Sequence, residues 1–287
     1  MNQSLPESEI KALVSLLADN DDEVYSLVTK QILEFGDGII PYLEEEWERN
    51  FMPEVQKRIE DLIHVLQFDN LRRKLTEWKN NGGKDLLEGM WLVNLYMYPD
   101  LDIIKLKSKI EQIYYETWLE FKPDIHPFDQ LRIINHVIFN KLRFGANNKN
   151  FHAPGNSMIN VVLETRRGNP ISLCVIYMLV AQKMKLPVYG VNLPNMFILT
   201  YKSEHNQFYI NVFNKGVLLT KSDIDNYISS LKLEPSDVFY EPCSHIDIVR
   251  RVLRNLMVAF EKSSEVEKME EIKILLNDIS DNENANY

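Results

Sequence analysis

Cysteine is scarce in this chain, and glycine is not plentiful. Only two of the 287 residues are cysteine, Cys174 and Cys243. They are too few and too far apart in sequence for a disulfide framework or a clustered metal site. A reducing cytoplasm is the compartment expected. None of the ten glycines falls in a Gly-x-Gly-x-x-Gly run, so no phosphate-cradling loop is indicated. His-x-x-x-His with a nearby carboxylate is missing as well, and no metal or cofactor is expected. Long apolar runs are absent: "LCVIYMLVA" (173–181) is well short of the roughly 20 residues that cross a bilayer. The opening "MNQSLPESEI" has neither the basic nor the apolar region of a signal peptide, so no membrane association is expected. Positive charge is in deficit too. A net charge of −10 argues against general nucleic-acid binding, in which phosphate neutralisation dominates affinity. Small basic clusters remain at Lys141 and Arg143, at Arg166 and Arg167, and at Arg250, Arg251 and Arg254. Solvated or salt-bridged faces are their simplest reading, an anionic ligand or acidic partner the alternative.

What the chain does have is helical periodicity. In "ESEIKALVSLLA" (7–18), Ile10, Leu13, Val14, Leu16 and Leu17 recur near the helical period. "DNDDEV" then supplies cap residues and first-turn carboxylates for a second helix, which runs to Phe35 and stops at Gly36. From Pro53, "PEVQKRIEDLIHVLQF" sets Val55, Ile59, Leu62, Ile63 and Leu66 on one face. Short helices separated by Asp/Asn-rich or Gly-rich turns resemble HEAT-type repeats over residues 7–70. Further helices are expected after "NNGG" (80–83), the last over 126–144. The loop "GANNKNFHAPGNSM" (145–158), which holds His152, is the expected internal boundary and a candidate functional loop.

Beyond that loop the pattern changes. Asn169 and Pro170 are placed as N-cap and first residue of a helix that is apolar nearly all round. Strands are expected at 188–193, 196–201 and 207–213, the last two forming a hairpin across "KSEHN". Ser222 with Asp225, and Ser244 with Asp247, have the spacing of capping boxes. Cys174 falls past the first helical turn, where unpaired amides and the helix dipole act most strongly. Ser172 lies nearer that field. In such a helix Cys174 is expected to pack as a small hydrophobe with a normal or raised pKa.

A thiol near the start of a buried helix, followed by strands with polar partners, resembles the papain-like transglutaminase core. More specifically, "LETRRGNPISL", "LPVYGVNLP" and "FNKG", in this order, resemble the SirB1 family of transglutaminase-like proteins, from Phe151 to Leu276. The resemblance implies a cysteine activated by a histidine on one strand, which an Asp or Asn on the next strand orients. Where the family carries Gly-His-Phe or Gln-His-Phe, this chain has Asn195, Met196 and Phe197, and a thioether accepts no proton at neutral pH. Asn211 stands at the orienting position. Ser172, Cys174, Met196 and Asn211 are therefore expected to be vestiges of a site, with no catalytic residue among them. Arg166, Arg167, Asn169 and Lys215 are candidate contacts for an anion or a partner. The simpler roles for Arg166 and Arg167 are anchors to neighbouring carboxylates, and for Lys215 a turn with Asn214 and Gly216. A rearranged site would draw its imidazole from His152 or His205.

The fold class expected is α+β, mostly α. A helical array over 1–145 precedes a transglutaminase-like domain over 146–280, with a buried helix and a small antiparallel sheet, and a frayed tail over 281–287. The function expected is a non-catalytic regulatory protein that binds a protein partner, with neither nucleic acid nor membrane. The alternatives are a cysteine-dependent amide hydrolase or acyltransferase with a rearranged site, and a small-anion sensor. Oligomeric state is not legible.

Overall fold

The computed structural model describes residues 6–19 and 21–280; the tail expected to fray, 281–287, lies outside the described residues. Packing separates the chain into two compact units, Met1–Lys74 and Leu75–Tyr287. The division falls inside a helix, and the loop near 145, where a boundary was expected, lies within the second unit. No helix among the described residues is long and apolar enough to cross a membrane.

The first unit contains α1 (Glu7–Ser15), α2 (Asp22–Phe35), α3 (Ile40–Arg49) and the start of α4 (Pro53–Asn80). Asp21 caps α2 by accepting the amides of Glu23 and Val24, which satisfies two donors that the helix itself leaves unpaired. Gly36, at φ +71°, ends it, in backbone space that residues with a Cβ seldom enter. Leu17 just after α1, Ile32 of α2, Leu43 of α3 and Ile59 of α4 are fully buried in a shared core.

The second unit is built around one helix. After α5 (Leu86–Leu95), α6 (Ile103–Trp118), α7 (Pro127–Asn135) and α8 (Ile159–Thr165) comes α9 (Pro170–Lys183). Every residue of α9 from Ile171 to Met178 is buried, as are Val180 and Ala181. A helix with no polar face requires cover on all sides. Here α6, α8 and the sheet supply it, together with α11 (His245–Lys262). The sheet is a meander, β3 (Val188–Leu193), β4 (Met196–Lys202), β5 (Gln207–Asn211) and β6 (Val217–Leu219), antiparallel throughout. Earlier in the chain, β1 (Gly145–Ala146) and β2 (Arg167–Gly168) form a short parallel pair that the sequence pattern did not indicate. The chain closes with α10 (Lys221–Ser230), then α11, then α12 (Val266–Ile279).

Strand alternation divides the sheet into two faces. Val191 pairs with Ile198, and these two, with Leu193 and Tyr209, pack against Ile224 and Ile228 of α10. The opposite face carries Gly190, Leu199 and Ile210. A Cβ on Gly190 would stand 2.7 Å from the Phe197 ring and 3.1 Å from Ile248 of α11, so this face lies against α11 and the buried helix.

Two local expectations are corrected. The strand expected over 207–213 stops at Asn211, where the chain turns through Lys215 and Gly216, both at positive φ. The capping box of α10 is made by Thr220 and Asp223, and Asp225 instead accepts the Tyr240 hydroxyl at 2.7 Å. The box at Ser244 and Asp247 forms as expected. Thr220→Ala is expected to cost about 1 kcal/mol, and Ser222→Ala no more than about 0.5 kcal/mol, in urea unfolding of the chain.

The tightest approach beneath α9 involves Gly168. A Cβ there would lie 2.5 Å from Ser172 Oγ and 2.9 Å from Val162 Cγ1, whereas one on Gly155 would meet nothing closer than 3.4 Å. Gly168→Ala is accordingly expected to destabilise the second unit by about 1–3 kcal/mol, with Gly155→Ala within about 0.5 kcal/mol of wild type, both measured by the same unfolding assay.

Candidate functional site

The start of α9 is fastened by a chain of asparagines. Asn169 Oδ1 accepts the Ser172 amide at 3.0 Å, while its Nδ2 donates to Ser157 Oγ at 2.8 Å. The Ser172 hydroxyl donates to the Asn169 carbonyl at 3.1 Å. Ser172 is wholly buried, and its hydroxyl is used in the cap. Asn156 donates to the carbonyls of Asn150 and Phe151 and accepts from Asn147 at 2.8 Å. The Gly/Asn-rich loop singled out in the sequence is thereby held against the beginning of α9.

Cys174 sits one turn deeper and is 0% exposed. Its thiol donates to the Phe197 carbonyl at a sulfur–oxygen distance of 3.6 Å. Burial pushes its pKa well above the ordinary thiol range, and a backbone hydrogen bond from Val212 offsets this only in part. Cys243 is pushed up to about 12, chiefly by burial and then by the charge of Asp247. Neither sulfur is in a disulfide.

The residues proposed as its partners stand elsewhere. Met196 opens β4 and packs with Val191, Leu193 and Ile198, on the α10 side of the sheet. Cys174 touches the backbone of β4 from the other side. Position 196 therefore faces away from the thiol, and its orientation separates the two as firmly as its chemistry does. Asn211 Oδ1 accepts the Asn214 amide at 3.1 Å and so holds a turn; no imidazole is bound to it. His205 is exposed in the hairpin turn. His152 is exposed, with Nε2 2.7 Å from Lys262 Nζ. An ammonium group only donates, so that nitrogen is the acceptor.

The candidate ionic contacts are also dispersed. Arg166 donates to the Leu142 carbonyl at 2.7 Å, and Arg167 to the carbonyls of Arg143 and Arg166 at 2.5 and 2.9 Å. They anchor to backbone oxygen, where carboxylates were expected. Lys215 is exposed at the turn after β5. Of the four candidates, only Asn169 lines the cleft at the start of α9.

That cleft, of about 380 Å³, opens at the start of α9. Its lining takes Asn169 and Pro170 from the start of α9, Phe151 and His152 from the Gly/Asn-rich loop, and Asn195 and Phe197 from the β3–β4 turn and β4. The wall that sequence reasoning passed over comes from α11, which contributes Arg251, Arg254 and Val258. The basic cluster near 250 divides here. Arg250 turns towards the Ile279 carbonyl and Asp247, whereas Arg251 and Arg254, three residues apart, share the cleft face. The helical spacing was visible in the sequence, but nothing there showed which arginines faced a cavity. Cys174, Met196 and Asn211 do not line the cleft. Among the described residues, no group of three or more His, Cys, Asp or Glu is placed to hold a metal ion.

Comparison with known proteins agrees with this architecture. Residues 104–254 match the transglutaminase-like superfamily, a match that begins well before Phe151 and takes in α6 and α7. A UPF0162 protein of Xylella fastidiosa is 31% identical over 166 residues, which is 55% of this chain and 59% of that protein. A UPF0162 protein of Buchnera aphidicola is 25% identical over 192 residues, 65% of this chain and 69% of its own length. F-box only protein 21 of Mus musculus is 27% identical over 135 residues, 44% of this chain and 21% of that protein. The chain thus matches less than two thirds of the length of the Xylella relative. No solved structure matches the chain. A buried thiol-bearing helix beneath an antiparallel meander, within a segment that matches over more than half of its length, identifies the chain as a member of the transglutaminase-like superfamily.

Proposed function

We propose that this protein is a non-catalytic, SirB1-like member of the superfamily, a regulatory protein of the cytoplasm that works by binding another protein. One observation carries the reading: Cys174 is sealed inside α9, with a raised pKa and only backbone groups as hydrogen-bond partners. Thiol catalysis needs the thiolate at an accessible surface with a base beside it, and each of those conditions is opposed here. The first unit, read as HEAT-like, offers a helical surface of the kind that suits a protein partner. The mammalian relative holds the similar segment as about a fifth of its own length. The hydrolase alternative gains no support from His152, which borders the cleft while Cys174 does not.

The test is the accessibility of the thiol. In a Cys243→Ala background, Cys174 is expected to react with a maleimide at neutral pH at least about a hundredfold more slowly in the native protein than in urea-unfolded chain. That ratio corresponds to an opening cost of about 3 kcal/mol or more, as befits a core helix. Native labelling as fast as that of the unfolded chain contradicts the reading.

A further inference from the structure

We infer that the cleft at the start of α9 is a binding site for a small organic anion, a carboxylate or phosphate carried on an apolar body. The inference goes beyond the protein-binding role proposed above and adds a small-molecule site in the second unit. Arg251 and Arg254 project from one face of α11 into the cavity, both only partly exposed. Among the described residues neither has a carboxylate partner. Arg251 makes one hydrogen bond, a 3.4 Å contact from its Nη1 to Asn192 Oδ1. Among the described residues no Asp or Glu lines the cleft, in a chain whose net charge is −10.

Two guanidiniums brought together and partly desolvated repel each other. Burial first, and then the Arg254 charge, lowers the pKa of Arg251 from its ordinary value. An anion entering between them removes that repulsion and accepts paired N–H bonds from either planar fork. The start of α9 adds its positive dipole end, so two helices present the same sign to one cavity. Phe151, Phe197 and Val258 add apolar surface to the lining, beside the polar Ser157, Asn195 and Asn255. A volume of about 380 Å³ lies in the range of sites that enclose small molecules. A bare ion would leave those walls unused, and the geometry therefore points to an anion with an aromatic or aliphatic body.

The full-length protein is titrated calorimetrically with phenyl phosphate, benzoate, inorganic phosphate and benzyl alcohol. Saturable binding of phenyl phosphate or benzoate is expected, and which of the two binds identifies the anionic group. Benzyl alcohol is expected not to bind, and inorganic phosphate to bind at least tenfold more weakly than phenyl phosphate. Arg254→Gln, at a partly exposed position, is expected to raise the Kd at least tenfold. Arg132→Gln, an exposed arginine elsewhere in the second unit, is expected to leave it unchanged. Circular dichroism establishes that each variant is folded before titration. Absence of saturable binding by either organic anion overturns the inference, as does unchanged affinity in Arg254→Gln. Equal affinity for inorganic phosphate overturns the role of the apolar walls. Each of these failures leaves the thiol-labelling result intact, so the two proposals fail separately.

Discussion

A helix with no polar side governs the second unit. Between Ile171 and Met178 every residue of α9 is buried, and the hydroxyls of Ser172 and Tyr177 are met by backbone carbonyls. Apolar surface removed from water contributes about 25 cal/mol per Å², and a helix buried all round gains it in every direction. The surrounding elements follow from that need: α6 and α8, the sheet on one side and α11 across it. At its N-terminal end Asn169 supplies side-chain hydrogen bonds in place of the missing backbone partners, and at the other end Lys183 is exposed.

Both features of the site descend from this arrangement. A side chain one turn inside α9 is enclosed whatever its chemistry, and Cys174 is enclosed with a thiol that burial keeps protonated. The start of the helix borders a cleft, with Arg251, Arg254 and Asn169 around it. Reactive group and cavity are thus found at different depths of the same helix. In a thiol enzyme they would coincide.

Much of this was legible in the residues. The N-cap at Asn169, the three strands, the hairpin and the capping box at Ser244 each rest on local chemistry that tertiary packing left in place. Cys174 as packing followed from the absence of a polar face. Other features depended on partners distant in sequence. Thr220 took the cap that Ser222 had the spacing to make, because β6 ends at Leu219 and fixes where α10 begins. Arg166 and Arg167 found carbonyl oxygens on the segment before β1, which periodicity does not reveal. The arginines that face the cleft were seen as a basic cluster, but their direction is set by how α11 lies on the sheet. Residue 196 shows the same limit. Its identity was readable, whereas the sheet face it occupies required the register of β3 with β4.

That register yields the most direct test of the account. In a Met196→His, Cys243→Ala protein, an imidazole stands at the place the family pattern reserves for it, on the α10 side of the sheet. Ultraviolet thiolate absorbance of Cys174 is then followed against pH. No thiolate is expected below about pH 9 in the folded protein, as in the parent with Met196. Thiolate absorbance emerging near neutral pH, in the histidine variant alone, would show that position 196 reaches the thiol and would contradict the separation on which this account rests.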